Sequence, residues 1–283
     1  MRIENRRSAS YADLNIVRHA VRLGLNSMRD PRVMALHYTA VIIESTDYDR
    51  APSLEFEVLD FSLKLDKGHL VCSPKVHFSS AEEARAVIEE FLHAWEADIA
   101  LRYGKEELHF RFMRADMIDR DPPPPDLTNN RSGAVTLTGG GGITCRGHVS
   151  RGEYPDPPRI FRLTPEADTL YKRYNNYKKG CEPLQAMAYA CLTLLERNAV
   201  NRRTIAKRYN IDEDVFRKIG EISSTRGDNL TARKFDKRGI ERQLSHGEAI
   251  WVEAAIKALI RQVGETHSNT VPQKLKMSDL PPI

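Results

Sequence analysis

The spacing of the hydrophobic residues changes part-way along this chain of 283 residues. From Leu54 to Leu65 apolar and polar residues alternate, which is the period of a strand with one buried face. From Thr164 onward apolar residues recur every three to four positions, which is the period of helices. Residues 121–158 separate the two patterns and contain seven prolines and seven glycines, a composition that resists regular packing. The change of period therefore predicts two structural units of different class.

The two patterns and the segment between them predict a domain organisation. We expect residues 1–120 to form an α+β domain, in which an antiparallel sheet packs against one long helix and which binds a partner or ligand. Residues 121–158 are predicted to be a Pro/Gly-rich linker or a hairpin insertion, and residues 159–267 an all-α helical bundle. Residues 268–283 have no periodicity and are predicted to be a flexible tail.

Turn and capping signals in the first half predict where its elements begin and end. Asp66-Lys67-Gly68 is typical of a turn between antiparallel strands. Ser80 and Glu83 form a capping-box sequence, which predicts that a helix begins at Ser80, and Gly104 is suited to its end. Apolar residues at three- and four-residue spacing give this helix one hydrophobic stripe, which we expect to lie on the sheet.

Capping signals also divide the second half of the chain into about five helices. Thr164 followed by Pro165 predicts the start of the first helix. Ser245 and Glu248 form a second capping box, which predicts the start of the last one. The helix that follows Pro183 is apolar nearly all round, so we expect it to be the central, buried helix.

A short segment of the second half, residues 204–219, resembles a helix-turn-helix. Ala206 stands at the tight crossing and Asn210 at the turn. Three apolar residues are expected to pack inward, namely Ile211, Phe216 and Ile219. In that family the second helix enters the major groove of DNA. The resemblance implies a DNA-binding regulator with base readers Glu213, Arg217 and Lys218 and phosphate contacts Lys207 and Arg208.

A long helix, a buried helix, a shorter pair and a loop at Ser224-Thr-Arg-Gly-Asp228 precede the final predicted helix. This order of elements over residues 164–265 is similar to the HEPN helical bundle, a family found in prokaryotic toxins and phage-defence effectors. The similarity implies a nucleic-acid-binding protein, with RNA favoured over DNA, in a prokaryotic defence or stress system.

HEPN members with ribonuclease activity use an arginine and a histidine with four to six residues between them. No histidine follows Arg226 at that distance, and only three residues separate Arg242 from His246. A histidine exchanges protons near neutral pH, whereas an arginine stays protonated. The resemblance therefore implies a non-catalytic or divergent member. Arg242 and His246 are the candidate catalytic pair of an alternative function, a metal-independent ribonuclease.

The net charge of +4 conceals an uneven distribution. Residues 1–120 contain 17 basic and 20 acidic side chains, whereas residues 159–267 contain 21 and 14. Between Arg197 and Arg242 there are 13 basic residues and seven acids. This stretch is either a nucleic-acid surface or a solvated helical surface whose acids pair locally. The candidate binding residues are Arg202, Arg203, Lys207, Arg208, Arg217, Lys218, Arg226, Arg233 and Lys234, with Tyr209 and Phe235 for stacking.

Other features narrow the class of protein. The longest uncharged apolar-rich run, Pro183 to Leu195, has 13 residues, well below the ~18–20 of a membrane-spanning helix, so we expect no membrane partner and a cytoplasmic location. Four cysteines are too few for a disulfide scaffold and predict reduced thiols. Two pairs, His69 with Cys72 and Cys145 with His148, have zinc-like spacing. Residues three apart on one strand point to opposite faces, so no metal or cofactor is predicted. A homodimer through the helical domain and a structural subunit of a complex are further alternatives.

Overall fold

The computed structural model has a mixed α+β fold. The part of the chain that it describes contains a sheet of five antiparallel strands and six α-helices. The described residues are 30–41, 46–48, 50–104, 108–119, 149–150, 152–197, 201–226, 242–266 and 272–283. The strands are β1 (Pro31–Val41), β2 (Thr46–Asp47), β3 (Leu54–Val58), β4 (Phe61–Asp66), β5 (His69–Pro74), β6 (His109–Asp119) and β7 (Val149–Ser150). The helices are α1 (Ala81–Tyr103), α2 (Pro165–Lys178), α3 (Leu184–Glu196), α4 (Arg202–Arg208), α5 (Glu213–Thr225) and α6 (His246–Glu265). The sheet order is β3-β4-β5-β1-β6, and β2 and β7 form a separate parallel pair.

Two tight turns connect β3, β4 and β5 into a meander. Leu59 has a φ of 51° and lies in the two-residue turn between β3 and β4. Lys67 and Gly68 have φ values of 46° and 74° and form the turn between β4 and β5. This conformation is easiest for glycine, so the sequence Asp66-Lys67-Gly68 suits the turn. The predicted hairpin at this turn is confirmed.

Helix α1 begins and ends where its capping residues predict. Ser80 Oγ accepts the backbone N–H of Glu83 at 3.1 Å, and Gly104 closes the helix with a φ of 73°. The Glu83 carboxylate accepts the backbone N–H of Ser79 at 3.2 Å, one residue earlier than a capping box requires. The helix start is therefore confirmed, and the reciprocal half of the box is displaced by one residue.

One face of α1 lies on the sheet, as its hydrophobic stripe predicts. Trp95 is fully buried there. Its ring centroid is 5.5 Å from that of Phe56 on β3 and 5.0 Å from that of Phe110 on β6. Aromatic rings at these separations attract one another beyond the burial of their surface. Trp95 is thus the centre of the contact between α1 and the sheet.

The opposite face of α1 belongs to a second hydrophobic core. Ala94, Ala97 and Leu101 are buried among residues of α2, α3 and α6. Asp98 is fully buried on the same side, where its carboxylate is 3.3 Å from Arg261 Nε of α6. A single helix therefore closes both the core under the sheet and the core of the helical part. The sequence predicted only the first of these contacts.

The helices α2 to α6 share one hydrophobic core, with α3 packed against α2, α4, α5 and α6. This arrangement confirms the predicted central position of α3. Thr164 Oγ1 accepts the Ala167 N–H at 3.2 Å at the start of α2. Ser245 and Glu248 form the predicted reciprocal capping box at the start of α6. None of the described helices is long and apolar enough to cross a membrane.

Residues 272–283 pack against the helices. Leu275 forms a parallel β-bridge with Ile211. Its N–H donates to the Asn210 carbonyl at 3.0 Å, and its own carbonyl accepts the Asp212 N–H at 2.8 Å. A β-bridge uses backbone groups and needs no periodic pattern of side chains. The composition of residues 268–283 therefore did not indicate it. The prediction of a flexible tail is therefore wrong for these residues.

Most of the predicted linker, residues 121–148 and residue 151, lies outside the described residues. In the described end of this segment, Tyr154 is buried and stacks on Tyr48 with 4.9 Å between ring centroids. Its hydroxyl accepts the Gly68 N–H at 3.0 Å. The described end of the Pro/Gly-rich segment is therefore attached to the β4–β5 turn.

Candidate functional site

A tight turn joins α4 to α5, as the helix-turn-helix resemblance implies. Asn210 has a φ of 50°, a left-handed conformation that asparagine adopts more readily than most residues. Its side-chain amide donates to the Pro272 carbonyl at 2.9 Å, so the C-terminal segment covers the turn. Ile211, Phe216 and Ile219 are buried, which confirms the predicted inward packing.

The outer face of α5 carries more acids than bases. Glu213 and Asp214 are exposed in the first turn of the helix. Arg217 donates to Asp214 at 2.8 Å, and Lys218 Nζ is 3.2 Å from Glu221. The first turn of a recognition helix lies closest to the bases, where acidic side chains are repelled by the phosphates. The charge distribution of α5 does not fit the base-reading role that the resemblance implies.

Helix α4 is basic along its whole length. Four of its seven residues are arginine or lysine and none is acidic. Arg202 lies 2.6 Å from Glu196 of α3, and Arg208 lies 3.9 Å from Glu166 of α2. Arg203 and Lys207 are exposed and one helical turn apart, and within the described ranges no carboxylate is at ion-pair distance from either. These two cations are free to meet an external anion.

Tyrosines of the helical part are engaged in internal contacts. The buried Tyr209 donates its hydroxyl to Glu166 at 2.5 Å, and burial followed by this contact raises its pKa. The hydroxyls of Tyr174 and Tyr177 donate to Glu253 at 3.0 and 3.1 Å. Tyr209 therefore cannot stack on a base as predicted, because its ring is in the core. Phe235, the other predicted stacking residue, lies outside the described residues.

Arg226 is a structural residue rather than a surface cation. Its side chain is 6% exposed and its Nε donates to Glu248 Oε1 at 2.8 Å. Burial alone would raise the pKa of Glu248, but the Ser245 N–H and the Arg226 guanidinium outweigh it and lower that pKa. The ion pair ties the end of α5 to the first turn of α6. The structure differs here from the prediction that Arg226 contacts nucleic acid.

The predicted catalytic pair is exposed and not joined by a contact. His246 is the first residue of α6, and Arg242 precedes that helix by four positions. On the described side of the 227–241 gap, no hydrogen bond or ion pair links the two side chains. Arg233 and Lys234 lie within that gap and outside the described residues. The geometry therefore provides no assembled acid–base site at this position.

A cleft of about 1190 Å³ lies between α1, the start of β6 and α2. Its lining on one side includes His93 and Glu96 of α1 and His109 of β6. Its lining on the other side includes Arg162, which precedes α2, together with Lys172 and Lys179. The volume is sufficient for a small-molecule ligand. Two imidazoles and a carboxylate therefore face three cations across a cleft that is open to solvent.

Glu96 organises the α1 side of this cleft. Its Oε1 accepts the Phe110 N–H at 2.6 Å and lies 2.9 Å from His109 Nδ1. The Glu96 side chain is only 15% exposed, whereas that of His109 is 51% exposed. Burial raises the pKa of Glu96, against the lowering effects of the Phe110 N–H and of the neighbouring His109 and His93. The largely buried Glu96 carboxylate therefore holds the His109 imidazole by its Nδ1 side, and the rest of the ring lies at the cleft.

Sequence patterns gave no sign of this cleft. His93 and Glu96 stand on the polar side of a helix whose acids are typical of a solvated face. Glu96 lies directly beside Trp95, at the centre of the packed stripe, and this neighbour is the one local sign of its burial. The partner residues come from β6 and α2, and no local periodicity predicts that these elements meet α1.

The described residues give no support for a metal site. Among the described residues no group of three or more His, Cys, Asp or Glu side chains converges, and Cys145 and His148 lie outside them. Cys72, Cys181 and Cys191 are free thiols, and burial raises the pKa of Cys72 to about 12. The two buried thiols, Cys72 and Cys191, are therefore not disposed to act as metal-binding thiolates.

Comparisons with known proteins give no relative. No protein-family model, no curated protein and no solved structure matches the chain. Its function must therefore be inferred from the residues themselves.

Proposed function

We propose that this protein binds nucleic acid, RNA in preference to DNA, through the phosphate backbone at the outer surface of α4, without catalysis at Arg242 and His246. The observation that carries the proposal is the pair Arg203 and Lys207, exposed one turn apart with no carboxylate at ion-pair distance among the described residues. Such cations neutralise phosphates and release counterions, which is the main source of sequence-independent affinity.

The surroundings of α4 favour phosphate contacts over base contacts. Helix α5, which would read bases in a helix-turn-helix, presents Glu213 and Asp214 in its first turn. Tyr209 is in the core and offers no stacking surface. Arg202 and Arg208 lie beside Arg203 and Lys207, and their partly exposed ion pairs are weak enough to exchange with a phosphate. The binding we propose is therefore independent of base sequence.

The wider setting is part of the same proposal. The shared core of α2 to α6 supports an all-α bundle similar to the HEPN family. That resemblance supports RNA as the nucleic acid, a cytoplasmic location and a role in a prokaryotic defence or stress system. The same resemblance is our reason for including a homodimer that forms through the helical part.

The first prediction concerns binding of a single-stranded RNA at low salt. The double variant Arg203→Ala/Lys207→Ala is expected to bind less tightly, because each lost phosphate contact lowers the slope of log K against log salt by about 0.7 for a single strand. Fluorescence anisotropy of a labelled oligonucleotide at several salt concentrations measures both quantities. Arg111→Ala/Arg159→Ala removes the same charge from two exposed positions elsewhere and should bind like the wild type.

Four results would count against this proposal. Absence of binding to RNA and DNA at low salt would refute it, and so would unchanged binding by the α4 variant. Tighter binding to duplex DNA than to single-stranded RNA would favour the helix-turn-helix alternative. If metal-independent RNA cleavage occurred and disappeared in His246→Ala, the ribonuclease alternative with Arg242 and His246 would replace the non-catalytic proposal.

A further inference from the structure

The cleft beside α1 combines a held imidazole with facing cations. Glu96 Oε1 is 2.9 Å from His109 Nδ1, and Arg162, Lys172 and Lys179 line the opposite side. We propose that this cleft hydrolyses a small phosphodiester, with His109 as proton acceptor and the cations as the phosphate-binding side. This inference does not depend on nucleic-acid binding at α4.

The contact with Glu96 determines which nitrogen of His109 can act. A carboxylate accepts, so the nitrogen that faces Glu96, Nδ1, carries the hydrogen. The neutral ring then has its lone pair on Nε2, where it can take a proton. Serine hydrolases use the same division of roles between a carboxylate and the two nitrogens of a histidine. Glu96 is in turn fixed by the Phe110 N–H at 2.6 Å, so the pair is held by the backbone of β6.

The balance of charge in the cleft favours a diester over a monoester. Its described lining contains three cations, Arg162, Lys172 and Lys179, and three carboxylates, Glu90, Glu96 and Asp168. Asp168 already accepts from Lys172 at 2.7 Å, which leaves Arg162 and Lys179 as the uncommitted cations of the described lining. A phosphodiester carries one negative charge, whereas a monoester approaches two near neutral pH. Two cations near several carboxylates suit the singly charged group better.

The proposed step consumes one water molecule and needs no other reactant. A lone pair of the water oxygen forms a bond to phosphorus while one water proton passes to His109 Nε2. The phosphorus–oxygen bond to one ester group breaks, and its electron pair stays on the leaving oxygen. His93, which also lines the cleft and influences Glu96, can supply the proton that this oxygen takes up. The products are a phosphomonoester and an alcohol.

The second prediction is tested with bis(4-nitrophenyl) phosphate as the diester and 4-nitrophenyl phosphate as the monoester. The full-length wild type should hydrolyse the diester with the higher kcat/KM. His109→Ala should lower kcat/KM by about 10²–10⁴-fold, the usual contribution of a general base, and added imidazole should restore part of it. Lys179→Ala should raise KM with little change in kcat, because it contributes binding rather than proton transfer.

Controls separate chemistry from folding. His37→Gln alters a similar pair outside the cleft, in which Nε2 is 2.8 Å from Asp116, and should leave the activity unchanged. Glu96 is a positioning residue, and Glu96→Ala removes the oxygen that faces His109 Nδ1. In that variant ¹⁵N NMR of His109 should show loss of the Nδ1–H tautomer seen in the wild type, together with a lower kcat. An unaltered tautomer population would contradict the role of Glu96.

Several outcomes would overturn the proposal. These are absence of diester hydrolysis by the wild type, a preference for the monoester, or full activity of His109→Ala. Failure of the proposed RNA binding would be recognised separately, since Arg203→Ala/Lys207→Ala should keep its full activity on the chromogenic diester. Conversely, His109→Ala should keep wild-type affinity for RNA.

Discussion

Replacing Trp95 by alanine is expected to lower the free energy of unfolding by about 3–5 kcal/mol. The indole is fully buried at the centre of the contact between α1 and the sheet. It packs against Phe56, Phe91 and Phe110, with centroid separations of 5.5, 6.1 and 5.0 Å. Alanine would leave a cavity that neighbouring side chains cannot fill without moving a strand or the helix. Urea unfolding followed by far-ultraviolet circular dichroism measures the loss.

Trp95→Phe is the matched control for this prediction. In the described part of the structure the buried Nε1 of Trp95 has no hydrogen-bond acceptor. Phenylalanine removes that unsatisfied donor and keeps an aromatic ring, so the loss of stability should be clearly smaller than for alanine. If the two variants were equally unstable, an aromatic ring at position 95 would not be what stabilises the contact between α1 and the sheet.

Replacing Arg226 by alanine is expected to cost about 3 kcal/mol, since it leaves the buried Glu248 carboxylate without its cationic partner. The two side chains are each 6% exposed and joined at 2.8 Å. Arg217→Ala is the control, because its pair with Asp214 is exposed and should contribute less than about 1 kcal/mol. A loss for Arg226→Ala as small as that for Arg217→Ala would contradict the structural role.

The same ion pair gives a prediction with a defined pH dependence. The pKa of Glu248 is lower in the folded chain than its ordinary value of 4.5. Folding therefore gains stability from ionised Glu248 above that ordinary value, and the gain disappears as the pH falls through the lowered pKa. The difference in stability between wild type and Arg226→Ala should be full at pH 7 and shrink on acidification. A difference that stayed constant down to pH 3 would show that the ion pair is not its source.

Elements that depend on neighbouring residues could be predicted from the sequence. The caps at Ser80, Gly104, Thr164 and Ser245 each involve residues within four positions of one another, so a short pattern contains the whole interaction. The hairpin at Asp66-Lys67-Gly68 is predictable for the same reason. At these positions the interactions expected between neighbouring residues are the ones present in the folded protein.

Contacts between distant parts of the chain could not be predicted in this way. The burial of Arg226 depends on Glu248, 22 residues later, and until that partner is known a buried arginine is indistinguishable from a surface one. The cleft joins Glu96, His109 and Lys172, which belong to three separate elements. The docking of Leu275 uses backbone hydrogen bonds, which are independent of side-chain type.

The position of α1 between two cores determines how the protein can unfold. Opening the core under the sheet requires α1 to move away from the strands on which Trp95 packs. The same movement withdraws Ala94, Ala97 and Leu101 from the helical core. The fluctuations that expose one core therefore expose the other, so both belong to one cooperative unit. A chain cut in the Pro/Gly-rich segment would give two fragments with complementary apolar surfaces. Such fragments would be stable only when bound to each other.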